Sequence, residues 1–357
     1  MSEAGKTKPA RLVDVAEAAG VSRGTASNVF SRPEVVREEV REKVRAAAAS
    51  LGYAGPDPKG RLLRAGKVGA IGVATARSVS YFFDDPFARV LMSGISAACD
   101  ENGAGIALVS SADDEKLARN IRSALVDGFI LFCVRGGENL IELTKERQLP
   151  FVALELGFND ETVSTVGIDN ESGARMAARH LAELGHRLIG VVSVSLQPAD
   201  RGVGLVSMEE VETAGYGVAP QRFRGYFEAL AECGIDVATV PIYETHNDEE
   251  STRAVLEQMF GTREPPTAIL AMSDRIALAA LDWLRERGLR VPEDVSIIGF
   301  DGIPEGESST PPLTTIAQPI EEMGRRAVRS ILDSDGAIKR ETVDVQLVVR
   351  GSTAAPS

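Results

Sequence analysis

The chain contains few of the residues from which disulfides and metal sites are built. Among its 357 residues there are three cysteines and three histidines. Cys99, Cys133 and Cys233 are far apart and lack the paired spacing of zinc ligands. We therefore predict reduced thiols, no metal site and no cofactor, and we exclude the small secreted proteins that disulfides hold together.

Long apolar runs are absent too. No stretch of eighteen apolar residues occurs, and the first residues, MSEAGK, lack the apolar segment of a signal peptide. These absences predict a cytoplasmic protein with no membrane association. With 44% hydrophobic and 25% charged residues, a chain of this length has room for more than one globular domain.

Two common catalytic motifs are also missing. The sequence has no phosphate-binding Gly-x-x-x-x-Gly-Lys loop and no His-Glu-x-x-His metalloprotease motif. The paired acids at 84–85 and 113–114 are adjacent in sequence, and neighbouring side chains on a loop usually point apart. We predict that the chain is not an enzyme.

A pattern typical of two short helices joined by a tight turn begins at residue 12. Gly20 supplies the permissive backbone that such a turn needs, and Ser22 is placed to cap the second helix. The first helix has one apolar face, formed by Leu12 or Val13 together with Val15, Ala16 and Ala19. This pattern predicts a helix-turn-helix that binds DNA.

The second helix supplies the candidate DNA contacts. Arg23 and Asn28 are of the types that pair bidentately with guanine and adenine in the major groove, whereas Thr25 and Ser27 suit phosphates. The outward-facing candidates are Ser22, Arg23, Gly24, Thr25, Ser27 and Asn28. The alternative is an ordinary helical hairpin with a solvated polar face.

A third helix and a linker follow. The third helix is predicted over residues 36–51, with apolar Val36, Val40, Val44, Ala47 and Leu51 near helical spacing. Residues 53–67 begin with glycine and proline and end with a basic segment, which predicts a hinge. Residues 1–67 carry a net charge of +5 and the remainder −18, so non-specific attraction to DNA should be confined to this end.

These residues resemble the LacI/GalR family of transcriptional regulators. The resemblance rests on DVAEAAGVS at 14–22, LGY at 51–53, Arg61-x-Leu63-Arg64 and several motifs downstream, including VPEDVSIIGFD at 291–301. It implies a hinge in which Leu63 wedges into the minor groove, with the basic Arg61 and Arg64 following the narrow groove. Gly60 stands where the family usually has alanine, and Asn28 where it often has arginine.

Short apolar runs alternate with helical stretches from residue 68 onward, which is typical of parallel sheets covered on both faces. The resemblance implies a periplasmic-binding-protein-like effector domain. We therefore predict a small all-α helix-turn-helix domain (1–52), a hinge (53–67) and an α/β effector domain (68–357) of two doubly wound subdomains. The expected N-subdomain comprises 68–167 and 320–347, and the C-subdomain 168–319 and 348–357.

Ligands of such folds bind at the carboxyl ends of strands. Glu155, Ser273 and Asp301 each follow an apolar run, and the resemblance places them in the effector cleft. The complete candidate set for effector binding is Tyr81, Phe83, Phe87, Glu155, Arg222, Asn247, Ser273 and Asp301. Its carboxylates and arginine suit a sugar or polyol, although Asn247 stands where the family often stacks an aromatic ring on the ligand.

Two further readings stay open. The chain is either such a regulator, responsive to a sugar or to a nucleobase or nucleoside, or a solute-binding protein of transport. The Gly-rich stretch 196–219 is either a flap over the cleft or an inert surface insertion. For the regulator we expect a homodimer rather than a tetramer, a near-palindromic operator and no membrane partner; the effector is either an inducer or a corepressor.

Overall fold

The computed structural model describes residues 10–55, 67–132, 137–155, 160–196, 202–214 and 217–357. The chain divides into two compact units, residues 1–68 and 69–357. Cys133 and the predicted hinge residues Arg61, Leu63 and Arg64 lie outside the described residues.

The first unit is a three-helix module. Helices α1 (Leu12–Ala19), α2 (Arg23–Ser31) and α3 (Glu38–Ser50) are accompanied by a short 3-10 turn at Pro33–Val35. Gly20 adopts the left-handed conformation (φ 65°) after α1, because only glycine enters that region without strain.

The core of this unit shows which residues form the apolar faces of the helices. Leu12 packs against the core, whereas Val13 is 36% exposed. The expectation that Leu51 lies on the apolar face is wrong: α3 ends at Ser50, and Leu51 is 41% exposed. Ala48 takes the buried position, and Tyr53 packs edge-to-face against Phe30.

The second unit contains thirteen strands among the described residues. They are β1 (Ala70–Thr75), β2 (Gly105–Ser110), β3 (Gly128–Leu131), β4 (Phe151–Leu154), β5 (Ser164–Ile168), β6 (Ile189–Ser193), β7 (Gly204–Val206), β8 (Ile242–Glu244), β9 (Ala268–Ala271), β10 (Ser296–Asp301), β11 (Thr314–Ala317), β12 (Arg340–Val343) and β13 (Gln346–Val348).

Helices connect these strands. They are α4 (Tyr81–Asp84), α5 (Pro86–Glu101), α6 (Asp114–Ser123), α7 (Gly137–Lys145), α8 (Asn170–Glu183), α9 (Met208–Glu212), α10 (Ala219–Glu232), α11 (Glu249–Phe260), α12 (Asp274–Glu286), α13 (Pro304–Ser308) and α14 (Ile320–Leu332).

Two sheets organise this unit. The first has the strand order β12-β5-β4-β3-β1-β2 and is parallel throughout; we call it and its helices the N-subdomain. The second has the order β13-β11-β10-β9-β6-β8-β7 and defines the C-subdomain. Its inner strands are parallel, while the edge strands β7 and β13 pair antiparallel. Part of the stretch 196–219 is therefore an edge strand of this sheet.

The polypeptide passes between the two sheets three times: from β5 to α8, from β11 to α14, and from β12 to β13. Two of these crossovers carry polar residues with buried side chains. Asn170 begins α8 and is 3% exposed, and Gln318 lies between β11 and α14 and is 7% exposed. Both residues reappear in the candidate site.

Glycines allow the closest helix contacts. A Cβ atom added to Gly225 of α10 would lie 2.1 Å from the carbonyl oxygen of Glu171 in α8. In the N-subdomain, a Cβ atom added to Gly94 of α5 would lie 2.0 Å from the carbonyl oxygen of Glu321 in α14. Both distances are far inside van der Waals contact, so each helix pair packs only because the glycine lacks a side chain.

Candidate functional site

A cavity of about 210 Å³ lies between the two subdomains of the second unit. It is bounded by residues that follow the carboxyl ends of parallel strands of both sheets, which is where ligands bind in open α/β folds. Its walls include Arg77, Tyr81, Asp85, Phe87, Phe132, Glu155, Val194, Arg222, His246, Asn247, Met272, Ser273, Arg275, Asp301, Ile303 and Gln318.

Seven of the eight effector candidates line this cavity: Tyr81, Phe87, Glu155, Arg222, Asn247, Ser273 and Asp301. The structure does not bring Phe83 there. On the short helix α4, Phe82 is buried at 2% exposure, so the neighbouring Phe83 side chain points outward and is 62% exposed.

Arg222 is the buried centre of the polar wall. Its side chain reaches from α10 with the residue 4% exposed, and its Nε donates to Asn170 Oδ1 at 2.8 Å. Its Nη1 donates to the carbonyl oxygen of Met272. The guanidinium stacks on the ring of Phe300, with Cζ 3.6 Å from the ring centroid. These contacts fix the guanidinium and leave further N–H donors for a ligand.

Glu155 lies on the N-subdomain side of the cavity. Its Oε2 accepts from Asn170 Nδ2 at 2.9 Å and its Oε1 accepts from the Ile168 amide at 3.1 Å. Burial raises the pKa of the Glu155 carboxyl, while the Asn170 hydrogen bond and the positive charge of Arg222 oppose the rise. Asn170 thus connects the glutamate of one subdomain to the arginine of the other.

Asp301 lies at the end of β10 on the C-subdomain side. Its Oδ1 accepts from Gln318 Nε2 at 2.9 Å. Burial holds the pKa of Asp301 well above its ordinary value of 3.8; Arg222 lowers it and the nearby Asp274 adds to the rise. Asp274 itself is engaged, since its Oδ2 accepts from the amides of Gly302 and Ile303 at 2.7 and 2.9 Å.

Asn247 and Ser273 form one polar unit. Ser273 Oγ donates to Asn247 Oδ1 at 2.5 Å and also accepts from the Ile276 amide at 3.1 Å, which caps α12. The Asn247 carbonyl oxygen is therefore engaged by Ser273, and its Nδ2 donors are left for another partner.

Backbone strain is concentrated at this cavity. Of the four described non-glycine residues with positive φ, three line it: Glu155 (52°), Asn247 (60°) and Asp301 (137°). The fourth is Gln148. Such conformations cost roughly 1–3 kcal/mol each and persist where the surrounding fold holds a side chain in a required direction.

Aromatic rings form the opposing apolar wall. The centroids of Tyr81 and Phe87 lie 5.8 and 6.1 Å from that of Phe132, and the Phe87 and Phe132 rings are stacked. The sequence pointed to Tyr81 and Phe87, but Phe132 had no distinguishing signal because it continues an apolar strand. This wall offers a flat surface to the apolar face of a ligand.

Two ion pairs connect residues on opposite sides of the cleft. Arg275 Nη1 of α12 lies 3.3 Å from Asp85 Oδ2, and Arg89 of α5 pairs with Glu305 of α13. Each joins the N-subdomain to the C-subdomain. Both depend on the separation of the subdomains, so they respond directly to opening or closure.

The stretch 196–219 also reaches the cavity. Gly217 and Val218, which precede and begin the turn into α10, line it. This observation favours the flap interpretation over an inert insertion.

The helix-turn-helix exposes four of the six residues that were expected to face outward. Ser22 Oγ accepts from the Thr25 amide at 3.0 Å and so caps α2. Ser22, Arg23, Gly24 and Asn28 are exposed, while Thr25 and Ser27 are half-buried. Inward-facing Ala26 and Val29 are buried. The polar face of α2 is thus open to a partner.

Residues 11–55 match the bacterial regulatory proteins of the lacI family, and residues 178–353 match the periplasmic binding protein-like domain. Over 353 residues the chain is 36% identical to the HTH-type transcriptional regulator Rv3575c of Mycobacterium tuberculosis, with 97% of both chains covered. The chain belongs to the LacI family.

Solved structures agree with this assignment. The lac repressor dimer bound to operator and the anti-inducer ONPF matches the LacI-family chain with a TM-score of 0.75 and 26% identity, covering 98% of this chain and 100% of that one. The complex of the transcriptional regulator CelR with cellobiose matches with a TM-score of 0.70 and 28% identity, covering 96% and 99%. The predicted family and fold class are confirmed, and the protein is a DNA-binding transcriptional regulator.

Within the described ranges of this LacI-family regulator, no helix combines the length and apolar character needed to cross a bilayer.

The raised pKa of Asp301 predicts how stability depends on pH. A carboxyl whose pKa is higher in the folded state stabilises the fold below its ordinary pKa of 3.8, and this contribution is lost as the pH rises through the folded-state value. Asp301→Asn keeps the shape without the ionisation. We therefore expect this variant of the LacI-family regulator to gain stability relative to wild type as the pH increases from about 4 to 8.

Urea unfolding of both proteins across this pH range measures the effect. Asp333→Asn, at an exposed position, is the control and should follow wild type at every pH. A constant difference between Asp301→Asn and wild type would contradict a raised pKa of Asp301 in the folded state.

Proposed function

We propose that this regulator is a homodimeric repressor that binds a near-palindromic operator through α2. A small polyhydroxylated ligand in the cavity, such as a sugar, either lowers or raises its affinity for that operator. Symmetry supports the dimer, because two copies of one recognition helix would match two half-sites. The hinge residues Arg61, Leu63 and Arg64 remain candidates for minor-groove contact. We propose domain limits of 1–52, 53–67 and 68–357, and no enzymatic activity.

The observation that carries the effector part is the buried Arg222, which Asn170 joins to Glu155 and which lines the same cavity as Asp301. Arg222 lowers the pKa of both Glu155 and Asp301, so its charge lies near each of them. Fixed donors and acceptors facing one space suit the neighbouring hydroxyl groups of a sugar. Sugar binding by a relative supports this, since the matched CelR structure contains cellobiose.

The crossovers support a coupling mechanism. Asn170 and Gln318 lie on two of the three connections between the subdomains and bind the side chains of Glu155, Arg222 and Asp301. A ligand that engages these side chains therefore acts on the connections themselves. Coupling between effector and operator is then reciprocal, so operator DNA changes effector affinity by the same factor.

A nucleobase or nucleoside is the second candidate ligand. The aromatic wall of Tyr81, Phe87 and Phe132 favours it, because a flat base stacks well on such rings. A thermal-shift screen of the full chain against sugars, polyols, nucleobases and nucleosides separates these classes, since a ligand of the folded state raises the melting temperature.

Operator binding is tested by selecting sequences from a random DNA library with the full chain. The enriched site should contain two inverted half-sites. Repeating the binding measurement with the ligand found by thermal shift then distinguishes an inducer from a corepressor. A monomeric site or the absence of enrichment would contradict the proposal.

Arg23→Ala is expected to weaken operator binding by about 10- to 100-fold, because one bidentate base contact contributes roughly 1–3 kcal/mol. Arg23 is exposed at the start of α2, so its removal leaves the helical core unchanged. Fluorescence anisotropy with the selected operator measures the loss. Arg263→Ala, an exposed arginine of the second unit, should retain wild-type affinity, and equal affinities for all three proteins would exclude a role for Arg23.

A further inference from the structure

The cavity between the subdomains continues outward. A second cavity of about 640 Å³ adjoins it, and four residues line both: Arg77, Tyr81, Asp85 and Arg275. These four residues form the boundary between the two cavities, which we call the shared wall. A ligand in the inner cavity that extended past them would enter the outer cavity.

The shared wall carries two guanidinium groups with unequal partners. Arg275 Nη1 lies 3.3 Å from Asp85 Oδ2, but Asp85 also accepts from the Ala88 amide at 3.0 Å at the start of α5. The Arg77 Nε is buried and has no hydrogen-bond partner among the described residues. Its Cζ lies 5.7 Å from the centroid of the Tyr81 ring. A buried donor without a partner is costly, so this position is suited to an acceptor supplied from outside the chain.

We propose that the effector is a phosphorylated polyol whose phosphate binds between Arg77 and Arg275 while its hydroxyl groups contact the inner cavity. This inference rests on the proposed effector function and names its ligand class. Two guanidinium groups from different subdomains, Arg77 after β1 and Arg275 on α12, fit a tetrahedral phosphate, whereas one guanidinium fork satisfies a planar carboxylate.

The charges around the cavity agree with an anionic ligand. Three arginines, Arg77, Arg222 and Arg275, face three carboxyl groups. Burial raises the pKa values of two of those carboxyls, Glu155 and Asp301, and so acts against the charged forms that would repel an anion.

Two further acids set a limit on the ligand. Asp84 and Asp114 line the outer cavity and not the inner one. They would repel a second anionic group that extended past the shared wall. We therefore expect a monophosphate to bind more tightly than the corresponding diphosphate.

The test compares matched ligands by thermal shift and calorimetry on the full chain at constant ionic strength. The pairs are glucose with glucose 6-phosphate, ribose with ribose 5-phosphate, and mannitol with mannitol 1-phosphate. Gluconate is the probe with a carboxylate in place of the phosphate. Inorganic phosphate is the smallest probe. We expect at least one phosphorylated member to bind about tenfold or more tightly than its parent, as hydrogen bonds to a charged group provide.

Variants assign the effect to the shared wall. Arg77→Gln and Arg275→Gln should each remove most of the preference for the phosphorylated member and the stabilisation by inorganic phosphate. Arg77→Lys should retain part of both, and the exposed Arg263→Gln should retain all. Melting temperatures without ligand establish that each variant is folded.

Each other outcome overturns the inference. Equal affinity for the neutral and phosphorylated members would exclude the proposed phosphate site but would still agree with the proposed effector function. Preference for gluconate alone would replace phosphate by carboxylate. Binding of no compound would also exclude this site, and so would a preference for phosphate that persists in both glutamine variants. Operator binding by the same preparations tests the DNA-binding function separately.

Discussion

Arg222→Met is expected to abolish the response to effector while operator binding survives. The substitution keeps much of the side-chain volume but removes the donors to Asn170 Oδ1 and to the carbonyl oxygen of Met272. It also leaves two carboxyl groups of the cavity wall, Glu155 and Asp301, without the charge that lowers their pKa values. Effector affinity should fall on the order of 100-fold, the equivalent of one or two charged hydrogen bonds.

The same change should lower the free energy of unfolding by about 3 kcal/mol, because the lost charged hydrogen bonds leave buried acceptors unpaired. Calorimetric titration with the effector and urea unfolding measure the two effects. The control is Arg224→Met, two residues along the same helix, whose Nε binds Glu171 Oε2 at 3.1 Å on an exposed surface. If Arg222→Met responded to effector normally, the ligand site would have to lie elsewhere.

Gly225→Ala is expected to destabilise the protein although alanine favours helices. Helix propensity alone would stabilise α10 by about 1 kcal/mol. The added Cβ, however, would lie 2.1 Å from the carbonyl oxygen of Glu171 and 2.9 Å from the Cβ of Ala174, and backbone atoms do not move aside cheaply. Overpacking of this kind costs roughly 1–3 kcal/mol, so the net free energy of unfolding should fall.

Urea unfolding gives the sign directly. Gly105→Ala is the matched control, because its added Cβ would meet its nearest atom at an ordinary 3.6 Å. We expect that variant to lie within about 0.5 kcal/mol of wild type. A stabilised Gly225→Ala would mean that α8 and α10 separate readily, and the close contact would then have no structural role.

The sequence predicted elements whose residues are apolar and locally periodic. The predicted alternation of strands and helices after residue 68 is present, as in β2 (105–110), α11 (249–260) and β9 (268–271). Strand β12 was not predicted, because Arg340–Val343 is largely polar and exposed and is a strand only through its pairing with β5. Such pairing depends on residues far away in sequence, which periodicity cannot reveal.

Some residues of the candidate site could be predicted from the sequence, and others could not. Residues that follow apolar runs, such as Glu155 and Asp301, could be chosen from the sequence because strand ends mark the ligand edge of a parallel sheet. Arg77, Arg275 and Gln318 had no comparable signal. Their importance comes from the approach of two sheets and from the crossovers between them, and neither is encoded in a local pattern.

The overlap of crossovers and cavity has a consequence for anyone who would retune this regulator as a biosensor. Asn170 and Gln318 join the polar wall to the connecting segments. Redesign of that wall for a new ligand would therefore also alter the basal expression level and the dynamic range. Tyr81, Phe87 and Phe132 belong to one subdomain and lie on no crossover. Changes to this aromatic wall are therefore the better starting point for altering ligand specificity without changing the basal expression level.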